Sequence, residues 1–320
     1  MTVSSHISAP QSVMTVQGPI PFDRLGITDA HNHMWIETVP GADPGNPVLN
    51  QFDSILQELI EYCEKGGETL LDCQPGGCGR DGNKLLALSK ASRVNLIACT
   101  GFHRKKYYLQ DYWLWEADAQ KICEFLCSEM EDGLVESLNT MFPVRAGFIK
   151  IALEATWADC PHAALEGAAF AALESKSLIE IHTEKGNLAE KACIYFTDLG
   201  LSPNQIVLCH MDKRPDISLQ KELASFGVLL EYDTFFRPKY APEANLWPLI
   251  EKMADFGFSN RIALATDMAD TELYHFIGGG AGLASLPGEI QNQLLKKGFP
   301  KVDRMQMLGG NIARRLAGIN

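Results

Sequence analysis

The sequence predicts a single closed (β/α)8 barrel, a TIM barrel, and three observations predict it. Eight short apolar runs recur along the 320 residues, helical patterns fill most of the segments between them, and no Pro/Gly/Ser-rich linker divides the chain. Alternating strand and helix implies a parallel sheet clothed by helices, and eight such units close on themselves in about 250 residues plus loops. A hydrophobic content of 46% with 21% charged residues supplies an ample core and argues against disorder or a membrane span. The expected domain is 1–320, with an N-terminal extension over about 1–24 and a helical tail over about 286–320.

The first strand is read at 28–33, Thr28-Asp29-Ala30-His31-Asn32-His33. Strand alternation puts Asp29, His31 and His33 on one face and Ala30 and Asn32 on the other. Two imidazoles on one face can grip one cation without bending the backbone. A Pro- and Gly-rich loop (39–48) leads to a helix over 52–65, striped by Ile55, Leu59 and Tyr62. The second strand, 68–73, runs into a loop with Gly76, Gly77 and Gly79, a weak phosphate cue because the Lys-Ser/Thr of a P-loop is missing. A helix over 83–92 and a third strand over 94–100 follow. The next connection gathers Tyr107, Tyr108, Tyr112, Trp113 and Trp115. It reads as a substrate lid, as a subunit contact compatible with a homodimer, or as a packing cluster. After a helix over 115–131 comes the fourth strand, 146–152, with Lys150 inside an apolar run. Helices over 163–174, 187–199, 217–226 and 244–256 then alternate with strands over 178–182, 206–210, 227–232 and 261–267. A glycine-containing loop at 271–285 reads either as a cover over the site or as a flexible connection.

Barrels of this kind carry their reactive groups at the carboxyl ends of the strands. His31 and His33 end the first strand, Lys150 lies near the end of the fourth, His182 ends the fifth, His210 the sixth and Asp267 the eighth. Singly, each could be a satisfied core group; together, at one end of successive strands, they make a ligand set. Lys150 stands apart, since a buried ammonium is costly unless paired or neutralised. It either meets a carboxylate such as Glu154, or its neutral amine adds carbon dioxide to give a carbamate able to bridge two cations.

Asp-Ala-His-Asn-His, the lysine in Gly-Phe-Ile-Lys-Ile, His-Thr after the fifth strand, Cys-His-Met-Asp after the sixth and Ala-Thr-Asp after the eighth resemble the phosphotriesterase-like branch of the amidohydrolase superfamily. The resemblance spans nearly the whole chain. It implies two divalent metal ions, zinc first with manganese, cobalt or iron compatible. His31, His33 and Asp267 would hold the more buried ion and His182 and His210 the more exposed one. A carboxylated Lys150 and a hydroxide would bridge them, with Asp267 as the catalytic proton acceptor. The implied activity is hydrolysis of an ester.

Lys213, Arg214, Arg237, Lys239 and Tyr240 fall on the loops after the sixth and seventh strands. A basic cluster there suggests an anionic small-molecule substrate gripped by Lys213, Arg214, Arg237 and Tyr240; loop salt bridges with Asp212, Asp216, Glu231 and Asp233 are the alternative. The Arg-x-Lys-Tyr run is similar to that of hydrolases of phosphorylated sugar lactones within the branch, so a phosphorylated sugar lactone is the first expectation. An organophosphate triesterase, another ester or amide hydrolase, and a catalytically silent binding barrel are the alternatives. A formal net charge of −12 opposes nucleic acid and anionic membrane surfaces. Nine scattered cysteines without paired knuckles read as free thiols in a reducing compartment. A polar, turn-rich start with neither a basic stretch nor an apolar run suggests a cytoplasmic address.

Overall fold

The computed structural model describes residues 11–43 and 45–319. Ahead of the barrel, β1 (Ser12–Thr15) and β2 (Gly18–Pro21) pair antiparallel. Among the described residues eight strands then form one sheet in sequence order, each pairing parallel: β3 (Ile27–Asn32), β4 (Gly67–Asp72), β5 (Asn95–Gly101), β6 (Phe148–Ala152), β7 (Ile179–His182), β8 (Ile206–Cys209), β9 (Leu229–Tyr232) and β10 (Ile262–Leu264). The strands are buried along nearly their whole length because helices pack outside them and side chains fill the interior.

Seven helices connect the strands: α1 (Phe52–Glu64), α2 (Gly82–Ser92), α3 (Ala119–Glu131), α4 (His162–Ser175), α5 (Ala189–Asp198), α6 (Ile217–Phe226) and α7 (Leu246–Asp255). Three start on an aspartate whose carboxylate takes up free backbone N–H groups: Asp81 for α2, Asp118 for α3 and Asp216 for α6. The Asp118 cap explains why α3 begins four residues later than its aromatic lead-in suggests. The remainder is mostly helical, with α8 (His275–Gly278), α9 (Gln291–Lys296), α10 (Lys301–Met305) and α11 (Asn311–Leu316).

The inner core holds Leu71, Ile97, Phe148, Val207, Leu229 and Ala263. It is stoppered by Val13 from β1, Leu25, and Ile312 and Ala313 from α11. All nine cysteines are free, and all but Cys63 are buried.

The first strand departs from simple alternation. Asp29 is in register with Leu70 and Asn32 with Asp72, so β3 spends three steps where β4 spends two. That extra residue is a bulge around Ala30 and His31. In consequence Asp29 and Asn32, expected on opposite faces, are hydrogen-bonded to each other at 2.9 Å. Among the described residues β10 and β3 share no ladder. Their seam is closed by Asp267 N–H donating to the His31 carbonyl (3.0 Å) and by the Asp29 carboxylate, which accepts from Thr266 N–H (3.1 Å) and Thr266 Oγ1 (2.6 Å).

The loop at 271–285 neither covers the barrel mouth nor hangs free. Glu58 of α1 accepts Phe276 N–H (2.6 Å) and Leu283 N–H (3.1 Å), and the buried Tyr274 hydroxyl donates to the His33 carbonyl. The roof is instead the loop after β3. It is fastened at its base by paired backbone bonds between Ile36 and Leu49 (2.8 and 2.9 Å), while Glu37 N–H reaches the Gly79 carbonyl (2.8 Å).

Candidate metal centre

Five of the six expected ligands, His31, His33, His182, His210 and Asp267, line the cavity at the barrel mouth, and the sixth, Lys150, is fully buried against His31. The bulge in β3 aims His31 inward, and its ring lies 5.5 Å from that of His33 and 4.9 Å from that of His210. The rings of His182 and His210 are 4.6 Å apart, with His210 Nε2 2.8 Å from His182 Nδ1. His210 and Asp267 both take left-handed backbone conformations, φ +63° and +44°. Such strain in a residue with a side chain is tolerated where the surroundings over-determine it, and it clusters at functional sites.

The spacing fits a cation. His31 Nε2 and His33 Nε2 each lie 3.8 Å from Asp267 Oδ1. That is too long for hydrogen bonds, but near the roughly 3.4 Å expected between donors each about 2.1 Å from one tetrahedral ion. His31, His33 and Asp267 form one buried group with converging ligand atoms, and His210, Asp233 and Asp267 form another. The buried His182 Nε2 has no hydrogen-bond partner, as a ligand nitrogen would not. The residues present therefore suit metal ions.

Several neighbours orient these ligands. Gln74 Oε1 meets His33 Nδ1 at 2.9 Å, and Asp233 Oδ2 meets His210 Nδ1 at 2.5 Å. Asp212 shapes the turn that presents Asp233, accepting from Asp233 N–H, Thr234 N–H and Thr234 Oγ1 at 3.1, 2.8 and 2.6 Å. Lys150 pairs with Glu180, not Glu154: its Nζ donates to Glu180 Oε1 at 2.8 Å and lies 3.2 and 3.3 Å from the His31 ring nitrogens. Glu154 is occupied elsewhere, by Lys105 N–H (2.8 Å) and Arg104 Nε (3.3 Å). Beneath His31, Glu180 Oε1 and Glu231 Oε1 each lie 3.0 Å from its Nδ1.

The charges follow from this packing. Burial opposes protonation of His31, but the Glu231 charge and the bonds to Glu180 and Glu231 outweigh it, raising the ring to about 10. Burial, reinforced by charge on His31, takes His33 down to about 3. Burial would raise Asp267, but His210, Arg237 and Lys213 hold its carboxyl well below the usual range. Burial opposes the Lys150 ammonium, but Cys209 and Glu180 outweigh it and push its pKa upward.

Above the centre opens a cavity of about 540 Å³, within the usual size of small-molecule sites. Arg237 lines it. Its guanidinium donates to the Asp267 carbonyl and, at 3.1 Å, to Asp267 Oδ2, and reaches Asp270 at 3.4 Å. Lys213 sits behind, with Nζ 3.8 Å from Asp267 Oδ2 and 3.9 Å from Asp233 Oδ1, over the Tyr240 ring at 5.8 Å. Arg214 is turned away, paired with Glu190 at 3.6 Å on the surface. Of the aromatic stretch, Tyr107 lines the cavity, while Tyr108 and Leu114 are buried and Trp115 packs on Phe102. His103 and Lys106 also line the cavity.

Sequence reasoning passed over Gln74, His103, Lys106 and Glu180, and took Asp233 only for a loop salt-bridge partner. Asp233 follows the seventh strand as His210 follows the sixth, and Glu180 and Glu231 break apolar runs just as Lys150 does, so those signals were present. Nothing local marked Gln74 or Lys106.

A parallel barrel with a histidine–carboxylate cage at the open ends of its strands defines the class: a barrel enzyme with a centre able to hold metal. The chain belongs to the phosphotriesterase family, whose model matches residues 11–316, and it is a hydrolase. It is 31% identical over 266 residues to a phospho-furanose lactonase of Mycoplasmopsis synoviae, covering 79% of this chain and 75% of that protein. It is 24% identical to the phosphotriesterase homology protein of Escherichia coli, across 91% of this chain and 97% of that one. Among solved structures, an amidohydrolase from Mycoplasma synoviae superposes with a TM-score of 0.85 at 27% identity, covering 97% and 92% of the two chains. A Listeria monocytogenes lactonase shares the fold with a TM-score of 0.87 at 22% identity, covering 95% and 98%. Among the described residues no helix is long and apolar enough to cross a membrane.

Proposed function

We propose that the chain is a lactonase that opens a phosphorylated sugar lactone with the help of two divalent metal ions. The observation that carries this reading is the convergence of His31, His33, His182, His210 and Asp267 around Lys150 at the floor of a 540 Å³ cavity with cationic side chains in its wall. The name of the M. synoviae relative, a phospho-furanose lactonase, supports the same substrate class.

His31, His33 and Asp267 would hold the inner ion, His182 and His210 the outer one, and carboxylated Lys150 would join them. Ions so held supply Lewis acidity, lowering the pKa of water towards neutrality and polarising the scissile bond. The protein's own part is orientation and charge. Gln74 and Asp233 fix the rings of His33 and His210, while Asp267 Oδ2, on the side away from His31 and His33, accepts a proton and returns it to the leaving alkoxide. Arg237 and Lys106 line the cavity, and Lys106, with its Nζ 4.6 Å from the centre of the Tyr107 ring and no acidic partner within 4 Å among the described residues, is available to a phosphate.

The test sets phosphorylated and unphosphorylated sugar lactones beside a neutral phosphotriester. The phosphorylated lactone should have the highest kcat/KM, and Arg237→Ala should raise its KM about 10- to 100-fold, the loss of one charge-assisted contact, while leaving KM for the neutral lactone nearly unchanged. An equal rise for both would remove the phosphate. Elemental analysis should find two metal ions per chain; protein that stays metal-free after reconstitution would favour a silent barrel.

A further inference from the structure

A fifth histidine stands in the cavity beside the cage, and none of the roles above uses it. His103 follows β5, and its ring is 4.8 Å from that of His182. Its position is fixed from three sides. Its backbone N–H donates to the Tyr108 hydroxyl at 2.9 Å, Tyr107 packs edge-on against its ring at 4.5 Å, and its Nδ1 accepts the Arg104 N–H at 2.7 Å.

The last of these bonds decides the chemistry. An Nδ1 that accepts a backbone N–H carries no proton, so the ring proton of the neutral imidazole resides on Nε2. His103 therefore turns an N–H towards the cavity it lines, not a lone pair, and among the described residues that N–H has no protein partner. A ring in this tautomer cannot ligate a metal through Nε2. It can donate a hydrogen bond.

We propose that His103 is a substrate-contacting hydrogen-bond donor, its Nε2–H directed at the acyl oxygen on the His182 side of the cage. The assignment rests on the ester-hydrolase reading of the site, because it is there that negative charge gathers on the acyl oxygen as the carbonyl is attacked. A donor held in advance by Arg104, Tyr107 and Tyr108 needs no reorganisation as that charge develops. The loop after β5 thereby gains a function separate from the packing of its aromatic residues.

Three variants of the metal-loaded enzyme test the proposal, each assayed on a sugar lactone and on aryl and alkyl esters of one acyl group. His103→Phe keeps a ring against Tyr107 and removes the donor. His103→Asn keeps an acceptor for Arg104 but does not reach the cavity, and serves if the Phe variant fails to fold. His103→Gln places an amide N–H near the lost Nε2–H. Phe and Asn should each lower kcat about 100-fold, the usual cost of one such donor, with KM little changed and equal losses on aryl and alkyl esters. Gln should regain at least tenfold, and all three should keep the wild-type metal content.

Loss of a metal ion in His103→Phe would make the residue a ligand and overturn the proposal. So would an unchanged kcat, a Gln variant no better than Phe, or a loss confined to the alkyl ester, which would place the donor at the leaving group. An enzyme that cleaves simple esters but no sugar lactone would sink the substrate reading while leaving His103 testable. Inactivity on every ester would remove the acyl oxygen and the proposal with it.

Discussion

Lys150 and its surroundings show what single residues can and cannot disclose. An ammonium inside Phe-Ile-Lys-Ile-Ala announces a buried charge that needs an answer, and that much is legible in the sequence. Which carboxylate answers it is not, because Glu180 lies 30 residues away and becomes a neighbour only when β6 and β7 pair. Glu154, close in sequence, is turned towards Arg104 and Lys105. The same holds for Gln74, an ordinary loop residue until the fold sets it against His33 Nδ1. Gln74→Ala should weaken metal binding about 10- to 100-fold, as loss of a ligand's supporting partner does, read by competition with a chromophoric chelator; unchanged affinity would deny Gln74 that role. Asp72 offers a test in the free protein. Burial lifts its carboxyl to about 7, while Met34 N–H donates to Oδ1 at 2.6 Å and Oδ2 has no partner. A raised carboxyl keeps its proton longer in the folded state, so its contribution to stability is intact below about pH 4 and is lost as the pH climbs towards 7. In chelator-treated protein, the Tm of Asp72→Asn relative to wild type should rise between pH 5 and pH 8; a constant gap would refute this.

Among the elements, strands and helices were readable from periodicity, while the joint between first and last strand was not. Alternation is a rule for a regular strand, and β3 breaks it with the bulge that brings Asp29 to Asn32 and Thr266. The sequence shows Asp29 two residues before His31 but not the extra step in register, which depends on where β4 begins. Two of the bonds across the joint end on that buried carboxylate, so Asp29→Ala should cost about 3 kcal/mol in denaturant unfolding, the scale of losing hydrogen bonds to a buried charged group. Amides of β3 and Ala265–Asp267 should also exchange faster in the variant than those of β6 to β8; uniform acceleration would argue against a local role for the joint. The loop at 271–285 failed to read for a related reason. Its anchor, Glu58, lies more than 200 residues away on α1, whereas its glycines suggest only freedom.

For the whole molecule, the barrel was legible because eight alternating units leave few other ways to bury so many apolar strands. The hairpin and terminal helix that stopper its lower end were not, since no pattern in Val13 or Ile312 says that they meet. If the centre holds metal, loading should stabilise the entire domain. A site at 100 times its dissociation constant contributes about 2.7 kcal/mol, or about 4 °C of Tm for a chain of this size. Thermal scans with and without chelator measure it, and identical melting would weigh against a metal bound to the folded state. The base of the roof has a wider implication. Because Ile36 and Leu49 clasp each other through two backbone bonds, the span between them can change in length and chemistry without disturbing the strands that carry the histidines. Evolution, or a protein engineer, can therefore exchange that canopy to recruit new molecules while the reactive floor is inherited unchanged.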